Sequence, residues 1–191
     1  MNDQAIPSAV LQLGDARLRA PAAPVDDVND PAFQRQVSAL TRTLLEFREN
    51  RGFGRAISAP QIGISLRFIV MELGEGPFLL ANPEITWRSD SRFTMWDDCM
   101  SFSSLFVRLR RYRSISVHFK DEHGASHDWS KLDPSSSELL QHEIDHLDGI
   151  LAIDRAIDRD SIVLREVFEA RRAYFAEQVD YVIPVSQSQS I

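Results

Sequence analysis

The sequence is poor in cysteine, since Cys99 is the only one among 191 residues. A single cysteine excludes an internal disulfide, and we therefore expect a reducing, cytoplasmic compartment. Long apolar runs are also missing, because none reaches the roughly 18 residues that a membrane-spanning helix requires. The opening segment, MNDQAIPSAV, contains neither a basic region nor an apolar one, so we expect no secretory signal.

An excess of basic residues is absent as well. The chain has 21 Lys and Arg against 28 Asp and Glu, which gives a formal net charge of -7. General nucleic-acid binding is unfavourable for such a chain, because phosphate contacts require a basic face. With 43% hydrophobic residues, the length suits one globular domain. We predict a single domain over residues 1–191, with an irregular, proline-rich arm at 1–30 and a disordered polar tail at 186–191.

The hydrophobic pattern predicts an α+β fold. Apolar residues at steps of three and four predict a helix over 33–48 that ends at Gly52. Strands are predicted at 67–71, 78–81, 85–87 and 114–119. A second helix is predicted from Ser135, which has capping-box spacing to Glu138, through His146, and a third over 161–178. Strands between helices at both ends favour α+β over a repeated βαβ arrangement.

The segment from Gln141 to Gly149 carries the chemistry, because it contains H-E-x-x-H on a predicted helix. A spacing of four residues places His142 and His146 on one helix face, where two imidazoles can hold one divalent metal. Glu143 lies beside the metal position and is placed to take a proton from a metal-bound water. The pattern therefore predicts metal-assisted hydrolysis of an amide or ester.

A catalytic site of this kind normally has three protein ligands, and the third is open on spacing alone. The metzincin pattern fails, because Ala152 stands where its third histidine should be. A thermolysin-like pattern places the third ligand at Glu166, with Glu169 close by. Cys99 is the remaining candidate, since a thiolate is a strong ligand for a borderline or soft metal.

Three segments in order resemble the blocks of the peptide deformylase family. The family's blocks are G-x-G-(L/I)-A-A-x-Q, then E-G-C-(L/M)-S, then Q-H-E-x-D-H-(L/I)-x-G. The third block matches at every fixed position, and the resemblance spans about residues 10–175. The matching positions of the first two blocks are Gly54, Ile57, Ala59 and Gln61, and then Cys99, Met100 and Ser101.

The resemblance implies the roles of the site residues. Cys99, His142 and His146 would hold the metal, and Glu143 would act as general acid and base. The side-chain amide of Gln61 and the backbone N–H of Met100 would stabilise the oxyanion. The family favours Fe2+, while the same ligands also suit Zn2+, Ni2+ or Co2+. The implied fold has small mixed or antiparallel sheets around a central H-E-x-x-H helix, with one helix near each terminus.

The resemblance also implies substrate and partners. The substrate would be an N-formyl-methionyl peptide at the end of a nascent chain, and formate would leave. The substrate-binding positions would be Arg55, Ala56, Ile57 and Leu139. A C-terminal helix carrying Arg171 and Arg172 would contact the ribosome. The alternative for this helix is an ordinary exposed face, with Glu169 and Glu177 alongside the arginines.

Departures from the blocks keep two alternatives open. Asp97 and Asp98 stand where the family has Glu-Gly, which adds a side chain beside a metal ligand. Further departures lie in the substrate-facing segments at Arg55, Ala56, Ser58 and Ser103. The first alternative is a related metal-dependent amidohydrolase with another formylated or acylated substrate. The second is a catalytically weak, metal-binding homologue.

Overall fold

The computed structural model describes residues 9–183, so the predicted tail at 186–191 lies outside the described residues. Within this range the strands form two antiparallel sheets. One sheet has the order β1-β2-β3-β6-β7 and the other the order β4-β5-β8. The strands are β1 (Ala56–Ser58), β2 (Phe68–Glu72), β3 (Pro77–Arg88), β4 (Arg92–Asp97), β5 (Leu105–Tyr112), β6 (Ile115–Lys120), β7 (Ser126–Trp129) and β8 (Ile162–Leu164).

The first helix, α1 (Pro31–Arg51), confirms the predicted helix and extends it at both ends. The side chain of Asp30 caps its first turn by accepting from the Ala32 N–H, and Gly52 ends it in the left-handed conformation at φ 74°. Its buried face packs with the five-stranded sheet in one hydrophobic cluster. No helix within residues 9–183 is long and apolar enough to cross a membrane.

The preceding arm is irregular over residues 9–30, apart from a 3-10 helix at Ala16–Arg19. It is tied to the five-stranded sheet through Asn82, which has a φ of 50°. The Asn82 amide accepts from the Val25 N–H and donates to the Val25 carbonyl, each at 2.8 Å. The arm thereby adds Val25 and Val28 to the hydrophobic cluster around α1.

The central helix, α2 (Pro134–Leu147), is buried on every side from Ser137 to Leu147. Its start corrects the sequence interpretation, because Asp133 rather than Ser135 is the N-cap. Asp133 accepts from the N–H of Ser135 and Ser136, and Pro134 suits the first helical position. Glu138 is therefore not needed for a capping box and is free to pair elsewhere.

The third predicted helix, over 161–178, is wrong as one continuous element. Its first residues form β8, which pairs with β5, and two short helices follow, α3 (Arg165–Ala170) and α4 (Arg172–Ala176). The β-branched residues Ile162 and Val163 suit a strand, and the edge of β5 offers unpaired hydrogen-bonding groups. The strand pairing with β5 therefore overrides the helix that the spacing of apolar residues predicts. Phe168 and Phe175 then pack against Trp96.

Candidate active site

Three side chains that could hold one metal ion meet where α2 passes the end of β4. Cys99, His142 and His146 are buried, and one ligand atom from each lies within 4.8 Å of the other two. The Cys99 Sγ and the His146 Nε2 are 3.2 Å apart. The two histidines come from one face of α2, as their spacing predicts. Glu166, the thermolysin-like alternative, is exposed on α3 and does not belong to this cluster.

The backbone after β4 fixes the thiol of Cys99. Cys99 is extended and precedes a 3-10 helix at Met100–Phe102, where it occupies the N-cap position. Its Sγ accepts from the Ser101 N–H at 3.4 Å. The short helix therefore begins with the cysteine as its cap, and the sulfur is held toward α2.

Asp97 orients His142. Its Oδ2 accepts from the His142 Nδ1 at 2.9 Å and from the Arg111 Nη2 at 3.1 Å. Burial alone would raise the pKa of Asp97, but His142 and Arg111 hold it well below its usual range. The carboxylate is therefore ionised, and the His142 Nε2 is left for a metal. Asp97 thus places an ionised carboxylate behind the His142 ring.

A second carboxylate anchors Arg111 from the other side. Arg111 pairs with Asp145 as well as Asp97, and Asp145 also accepts from the Arg155 Nη2 at 2.5 Å. Arg111 is 2% exposed, so its charge requires both carboxylates for compensation. Asp145 lies inside the H-E-x-D-H segment, and it supports the site indirectly by holding Arg111 in place.

The donor set fits a divalent cation. Burial lowers the pKa of His146 well below its ordinary value, which favours the neutral imidazole that a ligand requires. His142 differs, because Asp97 and Cys99 raise its pKa despite burial, so a cation bound there would have to displace its proton. Burial also raises the pKa of the Cys99 thiol, and an adjacent cation is the usual means of stabilising a buried thiolate. One thiolate and two imidazoles match the ligands that Zn2+ and similar first-row metals take.

The side chain of Glu143, on α2, is held by Ser58 of β1. The Ser58 hydroxyl hydrogen-bonds to the Glu143 carboxylate and lies 2.9 Å from its main-chain oxygen. Burial raises the pKa of Glu143, which brings the carboxyl closer to the range useful for proton transfer near neutral pH. The contact with Ser58 was not predicted. Its signal in the sequence is the serine that replaces an alanine of the first block.

A hydrogen bond from the Ser58 main chain, three residues earlier, orients the side-chain amide of Gln61. Its Oε1 accepts from the Ser58 N–H at 2.9 Å, which directs Nε2 into the site. The Nε2 lies 3.6 Å from the Cys99 Sγ and 3.3 Å from the Ser101 Oγ. Met100, the first residue of the short helix after Cys99, is buried nearby. Gln61 and Met100 both line the cavity at the cluster.

A cavity of about 860 Å³ opens onto the cluster. Its wall includes Arg55, Ala56 and Leu139, three of the four predicted substrate contacts. Ile57, the fourth, is fully buried in the core and is not among the lining residues, so its approach to substrate stays a prediction. Asp98 also lies at the cavity, where its carboxylate pairs with the Arg165 Nη2 at 2.5 Å.

Replacing Asp97 by asparagine should weaken metal binding by about 10- to 100-fold, because the variant loses the charge that supports His142. The affinity is measured by competition with a chelator. Asp98→Asn is the matched control, since the neighbouring carboxylate pairs with Arg165 and not with a ligand. Equal losses of affinity in the two variants would contradict the orienting role of Asp97.

Comparisons with known proteins agree with this geometry. The family model described as polypeptide deformylase matches residues 7–161. A peptide deformylase from Thermotoga neapolitana is 34% identical over 153 residues, which cover 80% of this chain and 89% of the relative. One from Synechococcus is 34% identical over 162 residues, which cover 82% and 77%.

Solved structures give the same result. The structure of peptide deformylase from Thermotoga maritima is similar with a TM-score of 0.73 at 31% identity, covering 80% of this chain and 99% of that one. A Synechococcus elongatus peptide deformylase in complex with actinonin gives 0.74 at 28% identity, covering 87% and 86%. The chain belongs to the peptide deformylase family, metal-dependent hydrolases that remove the N-formyl group from nascent peptides.

Proposed function

We propose that Cys99, His142 and His146 hold the catalytic ion of this deformylase, and that the ion is Fe2+. The observation that carries the proposal is the convergence of three buried ligand atoms within 4.8 Å of one another at the cavity. An ion bound there would act as a Lewis acid on the formyl carbonyl and lower the pKa of water. Zn2+, Ni2+ and Co2+ are accepted by the same donors.

Glu143 moves the protons in this proposal. Its carboxylate takes a proton from the water that attacks the formyl carbon and then gives it to the leaving amine. Ser58 holds the carboxylate in place through its hydroxyl. The Gln61 Nε2 and the Met100 N–H donate hydrogen bonds to the developing oxyanion. The Gln61 amide cannot flip without losing its bond from the Ser58 N–H, so its donor is preorganised.

The surrounding residues complete the proposal. Arg55, Ala56 and Leu139 contact the peptide from the cavity wall. Ile57 acts from the core by positioning Ala56 and Ser58 on either side of it in β1. Arg171 and Arg172, which are exposed where α3 meets α4, form the contact with the ribosome. Residues 1–191 act as one domain in the cytoplasm.

The test is formate release from a formyl-Met dipeptide by protein purified without air, with the bound metal quantified in the same sample. We expect formate at an ordinary enzymatic rate and about one iron per chain. Exposure to air should lower the activity by oxidising Fe2+ or Cys99. In a Zn2+-loaded sample only Cys99 can be oxidised, so the loss of activity in air should be limited to the effect of Cys99 oxidation. A fully loaded site that releases no formate from any formyl peptide would overturn the proposed roles.

A further inference from the structure

One wall of the active-site cavity is polar and pairs two charged side chains. Arg55 and Glu138 both line the cavity, and the Arg55 Nη2 pairs with the Glu138 Oε1. The Arg55 Nη1 lies 3.2 Å from the Ser135 Oγ, so the serine hydroxyl belongs to the same polar wall. The Glu138 side chain is 1% exposed and the Arg55 side chain is 30% exposed, so the carboxylate is buried in the cavity wall and the guanidinium is partly open to solvent.

This wall lies within reach of the first side chain of a bound substrate. Glu138 precedes His142 by four residues on α2, and side chains at that spacing lie about 5 to 6 Å apart at Cβ on one helix face. Arg55 directly precedes β1, which carries Ser58 at the Glu143 carboxylate. In an N-formyl peptide, the tip of a long first side chain is about 6 Å from the formyl carbon by standard bond lengths. A substrate with its formyl group between the ligands and Glu143 therefore has Arg55 and Glu138 within reach of that side chain.

The pair offers hydrogen bonds of both kinds. Arg55 has only donors, and the Glu138 carboxylate has acceptors. An apolar side chain that entered would displace water from both without replacing its hydrogen bonds, which is costly for buried polar groups. Burial also raises the pKa of Glu138 to about 7, despite the opposing effect of Arg55. Near pH 7 Glu138 is therefore only partly ionised beside the cationic Arg55, so a cationic side chain is repelled by Arg55 and an anionic one by the ionised form of Glu138.

We propose that Arg55 and Glu138 receive the first side chain of the substrate, and that this deformylase accepts a side-chain carboxamide, as in formyl-glutaminyl peptides, at least as well as methionine. A carboxamide donates and accepts at once, so its oxygen faces Arg55 while its NH2 group faces Glu138. Glutamine and methionine have similar lengths, so the difference lies in polarity and not in reach. This inference rests on the proposed function, because it assumes deformylation at the Cys99, His142 and His146 centre.

The experiment compares kcat/KM for formyl-Gln, formyl-Met, formyl-Glu and formyl-Lys dipeptides that are otherwise identical. For the native sequence we expect a Gln-to-Met ratio of one or more, with formyl-Glu and formyl-Lys both slower. The double variant Arg55→Leu with Glu138→Leu should lower that ratio at least tenfold, mainly through KM for the glutaminyl peptide. Both residues are changed together, because either one alone would leave a buried charge without its partner.

Arg51→Leu with Glu169→Leu is the matched control. It makes the same two changes of residue type elsewhere on the cavity wall, and the Gln-to-Met ratio should stay the same. Metal content and thermal midpoint are measured for every variant.

A native Gln-to-Met ratio below one would overturn the inference, whether or not the double variant folds. An unchanged ratio in a folded, metal-loaded double variant would also overturn it. Formate from formyl-Met alone contradicts only this inference, whereas no formate from any peptide contradicts the proposed function.

Discussion

Glu143→Gln is expected to lower kcat for formate release by about 10²- to 10⁴-fold, the range that general acid–base catalysis contributes. Glutamine preserves the volume of the side chain and can still accept from the Ser58 hydroxyl. It cannot take a proton from water or return one to the leaving amine. KM should change little, because the substitution removes an interaction that matters in the transition state.

The metal content separates loss of chemistry from loss of the site. Glu143 is not among the three clustered ligands, so the variant should retain the same metal content as the native protein. Glu166→Gln is the matched control, because Glu166 is an exposed carboxylate on α3 and its loss should leave kcat unchanged. A Glu143→Gln protein that kept its metal and its full rate would exclude Glu143 as the proton carrier.

The helical part of the candidate site was predictable because its residues are encoded locally. His142, Glu143 and His146 belong to one helix, and the helical period alone brings them to one face. Cys99 was different, since nothing in its spacing to α2 required a contact across 47 positions. Only the resemblance of its surroundings favoured it over Glu166. The pairing of β4 with β5 and the packing of α2 between the sheets are tertiary results that a local pattern does not encode.

The C-terminal region shows the opposite case. The residues from Ser161 onward have a helical spacing of apolar side chains, but Ile162 to Leu164 pair with the edge of β5 instead. Local propensity is a weak guide where an unpaired strand edge is available. The residues that support the candidate metal ligands could also be predicted only in part from the sequence. The comparison with the family's blocks placed Asp97 beside Cys99, whereas its pairing with Arg111 and the bridge through Asp145 to Arg155 required the fold.

Cys99→Ser is expected to release the metal. A neutral hydroxyl is a far weaker ligand than a thiolate for Fe2+ or Zn2+. The native sulfur also accepts a hydrogen bond from the Ser101 N–H, which holds it in position. Even the loss of a residue that only orients a ligand costs about 10- to 100-fold in affinity, so loss of a ligand should cost more than that. Metal per chain after dialysis should fall to a small fraction of the native content, and formate release should fall with it.

Glu166→Ala tests the thermolysin-like alternative in the same assay. Glu166 is exposed and lies outside the ligand cluster, so its variant should keep both the metal and the activity. Restoring metal to Cys99→Ser by adding a large excess should recover part of the activity if the fold is intact, because His142 and His146 remain. If Cys99→Ser kept its metal while Glu166→Ala lost it, the third ligand would be the carboxylate, and the geometry at the end of β4 would have to change in solution.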